Sequence, residues 1–108
     1  MQLGVKSRLF LLNIVPTAGN YTTLRVVQDL KSALSFTEEE HKALKFVTKG
    51  DMTTWDEKSN HPVDIPIGEK AEDVIKDALR DLDSQKKLIV DFMPLYAHFV
   101  LGEDWKEE

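Results

Sequence analysis

Histidine side chains are the first candidates for chemistry in this sequence of 108 residues, because they can transfer protons or bind a metal near neutral pH. His41, His61 and His98 fall in three separate predicted elements. No two of them stand three or four residues apart, the spacing that would place both on one face of a helix. The sequence therefore predicts three ordinary surface or boundary histidines, with no metal site and no cofactor.

A row of carboxylates is the second candidate. Asp73, Asp77 and Asp81 recur every four residues, which on a helix places them on one face. Such a row could attract a divalent cation, but like charges at this spacing are more often a solvated face. The segment from Asp81 also begins like a calcium-binding loop, yet it lacks glycine at position six and glutamate at position twelve. We therefore interpret the row as solvated surface or as a contact for a basic partner.

Several classes of catalytic site are excluded by residues that the sequence lacks. It has no cysteine, which excludes disulfides, thiolate zinc sites and cysteine nucleophiles. It has no G-x-S-x-G turn, no G-x-x-x-x-G-K-[ST] phosphate loop and no G-x-G-x-x-G fingerprint, and it contains only five glycines. An enzyme is therefore not expected.

Charge is distributed unevenly along the chain. The net charge is −5, but residues 1–50 carry seven basic and four acidic side chains, whereas residues 51–108 carry seven and fifteen. The second half is therefore where a polyanion is least expected to bind. An apolar content of 42% over this length suits one domain with one core, spanning residues 1–108.

The N-terminal segment has some features of a secretory signal. Lys6 and Arg8 precede the apolar run LFLLNIV, and small residues follow it. The run is short and contains Asn13, so we favour the alternative, a buried first helix. No apolar run approaches the roughly 18 residues that a membrane span requires. We expect a cytoplasmic protein without membrane contact.

Apolar residues at helical spacing predict five helices. The third begins with a capping box, in which Thr37 is followed three residues later by Glu40. Asp91 is the expected N-cap of the fifth helix and Gly102 its C-terminal stop. The fourth helix has the clearest apolar stripe, formed by Ala71, Val74, Ile75, Ala78, Leu79 and Leu82. The predicted helices are residues 5–15, 20–34, 37–44 and 91–102, together with a fourth within residues 68–87, whose end is followed by Lys86 and Lys87.

A β-hairpin follows the third helix. The dipeptide GD at residues 50–51 suits a two-residue type II′ turn, which needs glycine at its first central position. The resulting register pairs Lys49 with Met52 beside the turn. At the other end it pairs Phe46 with Trp55, a favourable aromatic cross-strand pair.

A third strand completes the predicted fold. Residues 63–67, VDIPI, alternate apolar and polar side chains and predict a strand with one buried face. Pro66 cannot donate a ladder hydrogen bond, which places this strand at a sheet edge. We therefore predict an α+β fold, a single small domain of five helices with a three-stranded antiparallel β-meander.

The order of the N-terminal elements is that of a winged helix-turn-helix domain, in which a third helix enters the DNA major groove and a hairpin touches phosphate. The charges oppose this function. Glu38, Glu39 and Glu40 open the third helix, and Lys49 is the only basic side chain of the hairpin, beside Asp51. Because phosphate contacts supply much of the affinity for DNA, nucleic-acid binding is the second hypothesis rather than the first.

Binding of a protein partner is the first hypothesis, because large aromatic and methionine side chains are enriched at protein interfaces. Trp55 has an alternative interpretation as a lid that packs on Phe46, and the same question applies to Trp105. The partner is another protein or a second copy in a homodimer, and small-molecule binding is a third hypothesis. The candidate partner-binding residues are Tyr21, Lys49, Met52, Trp55, Asp73 and Asp77.

Three segments resemble small proteins encoded by phages and prophages. They are RLFLLNIVPTAGNYTTLRVVQDLKSALSFTEEEHKAL, GDMTTW and IGEKAEDVIKDALRDLD, within residues 8–83. The likeness lies in helix caps and apolar stripes and includes no catalytic motif. It implies an accessory phage protein that acts in the host cytoplasm by binding another molecule, with inhibition of a host system as one form of that action.

Overall fold

A computed structural model describes residues 1–105, which form one α+β domain, as predicted. The helices within this range are α1 Val5–Ile14, α2 Tyr21–Leu34, α3 Glu38–Leu44, α4 Glu69–Ser84 and α5 Met93–Phe99. The strands are β1 Gln2–Leu3, β2 Val47–Lys49, β3 Met52–Thr54 and β4 Val63–Asp64, and short 3₁₀ turns occupy Glu57–Ser59 and Val90–Phe92. None of the helices in residues 1–105 has the length and apolar character needed to cross a bilayer.

Helix α4 is central to the packing and contacts α1, α2 and α5. Its predicted apolar stripe is divided between two environments. Ile75 and Leu79 are fully buried, whereas Val74, Ala78 and Leu82 are only half-buried. The core therefore uses part of the stripe and leaves the rest near the surface. The buried apolar cluster comprises Leu3, Leu11, Val15, Val27, Leu30, Leu34, Ile65, Ile75, Leu79 and Leu95.

The local features of α3 and the hairpin are confirmed. The Thr37 hydroxyl accepts a hydrogen bond from the Glu40 backbone N–H at 3.1 Å, and the Glu40 carboxylate accepts one from the Thr37 N–H at 3.0 Å. The hairpin has the predicted register, with Lys49 opposite Met52. Gly50 has φ of +59°, a value that the first central position of a type II′ turn requires.

The three-stranded meander does not form. Strand β4 pairs antiparallel with β1 instead, so the domain contains two separate two-stranded sheets. The backbone N–H of Ile65 extends this pairing by donating to the Met1 carbonyl oxygen at 2.8 Å. The pairing places Leu3 and Ile65 together in the core, whereas both hairpin strands are exposed along their whole length. Burial of these two side chains explains why β4 joins the N-terminal residues.

The last helix is shorter than predicted and begins differently. Residues 90–92 form a 3₁₀ turn, and Phe92, not Asp91, is the N-cap of α5. The Asp91 carboxylate instead accepts a hydrogen bond from the Lys6 ammonium at 3.4 Å. Pro94 lies in the first turn of α5, where its missing N–H leaves no helical bond unmade. Beyond the helix, the indole N–H of Trp105 donates to the Gln2 carbonyl oxygen at 2.7 Å.

Helix α1 is capped from a distant loop. Its N-cap residue, Gly4, has no side chain, and the Val5 N–H donates to the Asn60 side-chain oxygen at 3.1 Å. Replacement of Asn60 by alanine should therefore lower the free energy of unfolding by about 1 kcal/mol, the usual cost of a lost N-cap. Urea denaturation measures this change. The matched control is Asn13→Ala, at an exposed position near the end of α1, which should change stability by less than about 0.5 kcal/mol. Equal losses in the two variants would contradict the capping role.

Candidate partner-binding groove

An open groove with a volume of about 870 Å³ lies between α4 on one side and the end of α1 and start of α2 on the other. We call it the acidic groove. It exists because α4 turns only Ile75 and Leu79 fully into the core, which leaves the neighbouring helical positions facing outward. Its walls are formed by Asn13, Ile14, Pro16, Thr22, Thr23, Val26, Lys70, Asp73, Val74, Asp77, Ala78, Asp81, Leu82 and Phe92.

The predicted row of carboxylates lines one side of this groove. Asp73, Asp77 and Asp81 are all exposed, and together they extend over about 12 Å of helix at 1.5 Å per residue. Within residues 1–105, neither Asp73 nor Asp77 makes a side-chain hydrogen bond or a salt bridge. Asp81 accepts one hydrogen bond, from the Gln85 amide at 3.0 Å. At least two of the charges are therefore available to a ligand.

A second row, of apolar side chains, runs beside the first. Val74, Ala78 and Leu82 each follow one residue after an aspartate and are half-buried in the groove floor. Ile14 and Phe92 contribute to the same lining. The two rows share the spacing of four residues, so they follow α4 side by side. This arrangement can bind a ligand that is apolar along one line and positively charged along the next.

The carboxylates of Asp73, Asp77 and Asp81 are spaced along α4 and do not converge on one position, as the ligands of a metal ion would. In the described part of the chain, no three histidine, aspartate or glutamate side chains gather closely enough to hold a metal ion. The histidines are also dispersed. His41 belongs to an aromatic cluster beside the hairpin, His61 lies in an exposed loop, and His98 on α5 contacts the Glu103 carbonyl oxygen at 2.8 Å.

The six candidate partner-binding residues do not form one surface. Asp73 and Asp77 line the acidic groove, and Tyr21, which is 76% exposed, precedes two of its lining threonines. Lys49 and Met52 are exposed on the hairpin, and no hairpin residue lines the groove. The structure therefore separates the acidic candidates from the hairpin candidates.

Trp55 packs on Phe46 as predicted, with ring centroids 6.4 Å apart. The pair belongs to a small aromatic cluster in which Phe46 also contacts Phe36, at 5.0 Å, and His41, at 5.5 Å. Trp55 is half-buried, and the cluster is separate from the main core. This packing favours the lid interpretation over an exposed anchor. Trp105 packs against the main core.

Sequence reasoning missed the role of Arg8. The residue is only 2% exposed. Its Nε–H donates to the Leu34 carbonyl oxygen at 3.1 Å, and an Nη2–H donates to the Ser35 carbonyl oxygen at 2.6 Å. Nη1 and Nη2 each donate to the Glu40 carboxylate, and the guanidinium lies over the Phe36 ring at 4.0 Å. Arg8 thus joins α1, the C-terminal carbonyls of α2 and the start of α3.

The contact between Arg8 and Glu40 shows that the three glutamates at the start of α3 are not equivalent. Glu40 turns inward to Arg8, and the hydrogen bond from the guanidinium holds the pKa of its carboxyl below the ordinary value. Glu38 and Glu39 remain exposed, and Glu38 lies 3.9 Å from the Lys42 ammonium. An arginine within a largely apolar helix, together with a capping-box glutamate, is the sequence signal that could have indicated this pair.

Comparisons of this chain with models of known protein families, with curated proteins and with solved structures found no match.

Proposed function

We propose that this chain is a non-catalytic cytoplasmic protein whose acidic groove binds a basic, amphipathic helical segment of a protein partner. The observation that carries the proposal is the pair of parallel rows on α4. Asp73, Asp77 and Asp81 form the charged row, and the apolar row follows it one residue later along the helix. A phage or prophage origin would make a host protein the partner, with inhibition of that protein as one effect.

A helical ligand matches the rows in both spacing and chemistry. Residues four apart on an α-helix are separated by about 6 Å along its axis. Side chains at that spacing on a bound helix therefore have the same repeat distance as the two rows on α4. Apolar side chains of the ligand would cover Val74 and Leu82, which are half-buried at present. Lysine and arginine can lie with their aliphatic stems along this floor and their charges beside the aspartates.

Two alternatives are less well supported by the same surface. Nucleic acid is disfavoured because a carboxylate row repels phosphate, and because Glu38 and Glu39 are exposed on α3. A small molecule would fit the volume of the groove. However, the charged row is spread over more than two helical turns, which suits an extended ligand better than a compact one.

Titration of the chain with two designed peptides tests the proposal. One is an amphipathic helix with leucines along one line and lysines along the next, and the other carries glutamates in place of the lysines. We expect the basic peptide to bind and the acidic peptide not to bind. In the double variant Asp73→Lys/Asp77→Lys the affinity for the basic peptide should fall by about 10- to 100-fold at low salt, since two attractions become repulsions.

A matched control separates a local effect from a change in overall charge. The double variant Glu38→Lys/Glu39→Lys alters the net charge by the same amount on α3, away from the groove, and should retain affinity. All four positions are exposed, so both variants should fold. Glu38→Lys/Glu39→Lys should melt somewhat below the parent, because it places two cations in the first turn of α3 and one of them beside Lys42. Equal affinity for both peptides, or equal losses in both variants, would contradict the proposal. Tight duplex DNA binding that weakens steeply with salt would support the winged-helix alternative.

A further inference from the structure

Lys70 lies at one end of the acidic groove and, within residues 1–105, is the only cation among the residues that line it. The other charged lining residues are Asp73, Asp77 and Asp81, so the charges along α4 run from one positive to three negative. The spacings of three, four and four residues keep all four side chains on one face of the helix. The charged row is therefore asymmetric, with opposite signs at its two ends.

The ammonium group of Lys70 has no structural role in the described part of the chain. The side chain is exposed and makes no salt bridge with any group in residues 1–105. It also lies in the first turn of α4, where the helix macrodipole favours an anion and disfavours a cation. This charge therefore does not stabilise α4, and it is available to a ligand.

The order of the two rows on α4 restricts how a helix can lie in the groove. Each aspartate directly precedes an apolar residue of the floor, as Asp73 precedes Val74 and Asp81 precedes Leu82. When two right-handed helices face each other in antiparallel directions, the residues that precede their apolar positions meet on the same side of the interface. In parallel packing, residues that precede apolar positions on one helix meet residues that follow them on the other. A ligand whose lysines directly precede its apolar residues therefore fits in the antiparallel direction.

The charges at the two ends of the groove favour this same direction. The C-terminal carbonyl groups of an antiparallel ligand, which carry partial negative charge, would lie beside Lys70. Its N-terminal N–H groups, which carry partial positive charge, would lie beside Asp81. A parallel ligand would instead place its positive end beside Lys70. The macrodipoles of the two helices also oppose one another only in the antiparallel arrangement.

We infer that Lys70 determines the direction of the bound helix, which lies antiparallel to α4 with an acidic residue near its C-terminal end beside Lys70. The inference rests on the proposed function and specifies its ligand further. On the ligand, basic residues recur every four positions, each directly before an apolar residue, and the acidic residue follows the last of them by three positions. This order is the reverse of that on α4, where Lys70 precedes Asp73 by three residues.

Two peptides of identical composition test the inference. Both are alanine-rich helices with blocked termini and three Lys-Leu pairs at intervals of four residues. The first carries a glutamate three residues after its last lysine, and the second carries it three residues before its first lysine. Because the free peptides differ in helix stability, the decisive quantity is how a variant changes the ratio of their two affinities.

In Lys70→Glu, the preference for the first peptide over the second should fall by about threefold or more at low salt, since an attraction to its glutamate becomes a repulsion. The variant should fold, because the first turn of α4 favours an anion. Lys58→Glu is the matched control. It changes the net charge equally at an exposed position outside the groove lining and should leave the ratio unchanged.

A nitroxide spin label on the first peptide reports its direction. A label at the C-terminal end should broaden the backbone amide NMR signals around Lys70, and one at the N-terminal end should broaden those around Asp81. The reverse pattern, or an affinity ratio that Lys70→Glu leaves unchanged, would overturn the inference while binding in the groove remained. Failure of both peptides to bind would instead contradict the proposed function, and the inference with it.

Discussion

Replacement of Arg8 by methionine is expected to lower the free energy of unfolding by about 3 kcal/mol, near the lower end of the range for breaking a buried ion pair. Methionine fills much of the same space but donates no hydrogen bond. The carbonyl oxygens of Leu34 and Ser35 would lose their partners, and the Glu40 carboxylate would lose its countercharge. The carboxylate is about a quarter exposed, so water can recover part of the loss.

Arg25→Met is the matched control for this experiment. Arg25 is exposed on α2 and makes one long contact, 3.5 Å to the Tyr21 hydroxyl, so its loss should cost less than about 0.5 kcal/mol. The double variant Arg8→Met/Glu40→Gln should be less destabilised than the sum of its single variants, since the pair acts as a unit. Guanidinium denaturation gives all of these free energies. If Arg8→Met were no more destabilised than Arg25→Met, the arginine would not be a structural link.

The pair of Arg8 and Glu40 makes the stability of the fold depend on pH. Because the pKa of Glu40 is lowered in the folded state, mainly by the hydrogen bond from Arg8, the unfolded chain binds the proton more readily. The stabilisation is present above the ordinary titration range of a glutamate and is lost as the pH falls through the folded pKa. The stability difference between the parent and Arg8→Met should therefore shrink on acidification. A constant difference would mean that Glu40 does not contribute to it.

Leu79→Ala is expected to destabilise the fold by about 2 to 5 kcal/mol, as truncation of a fully buried leucine leaves a cavity. Leu79 is completely buried on α4, in the core that this helix forms with its neighbours. Leu82→Ala makes the same change one turn later on the same helix. Leu82 is half-buried in the acidic groove, so this variant should lose about 1 kcal/mol.

In peptide binding the order of the two leucine variants should be reversed, with Leu82→Ala losing more affinity than Leu79→Ala. Leu82→Ala removes part of the groove floor and should weaken the affinity for the basic peptide by about tenfold. Leu79→Ala, tested at a temperature where it is folded, should retain that affinity because Leu79 does not line the groove. Thermal unfolding and peptide titration of both variants check the two expectations. Similar behaviour of the pair in both assays would contradict the division of α4 into a core side and a groove side.

Features encoded by neighbouring residues were predictable from the sequence. The capping box of α3 depends on Thr37 and Glu40, three residues apart, and the hairpin register depends on its glycine turn. The periodicity of α4 likewise predicted one helix with its aspartates on one face. In each case the interacting groups lie within a few residues of one another, so local geometry determines the contact.

Contacts between distant segments were not predictable in this way. Strand β1 has two residues, too few for a periodic pattern, so the sequence offered no sign that it pairs with β4. Arg8 and Glu40 are 32 residues apart, and only the packing of α1 against α2 brings them together. The acidic row was identified, but the groove beside it requires three helices and appears only in the assembled fold.

The hydrogen bond between Trp105 and Gln2 has a consequence for the rate of folding. It joins residues 103 positions apart, and the pairing of β1 with β4 likewise closes a loop of more than half the chain. Loop-closure entropy must be overcome before such contacts contribute stability, and folding slows as the mean sequence separation of contacts rises. The helices and the hairpin can form early from local contacts. We therefore expect the docking of β1 and Trp105 to be a late step, and this domain to fold more slowly than an all-helical bundle of equal length.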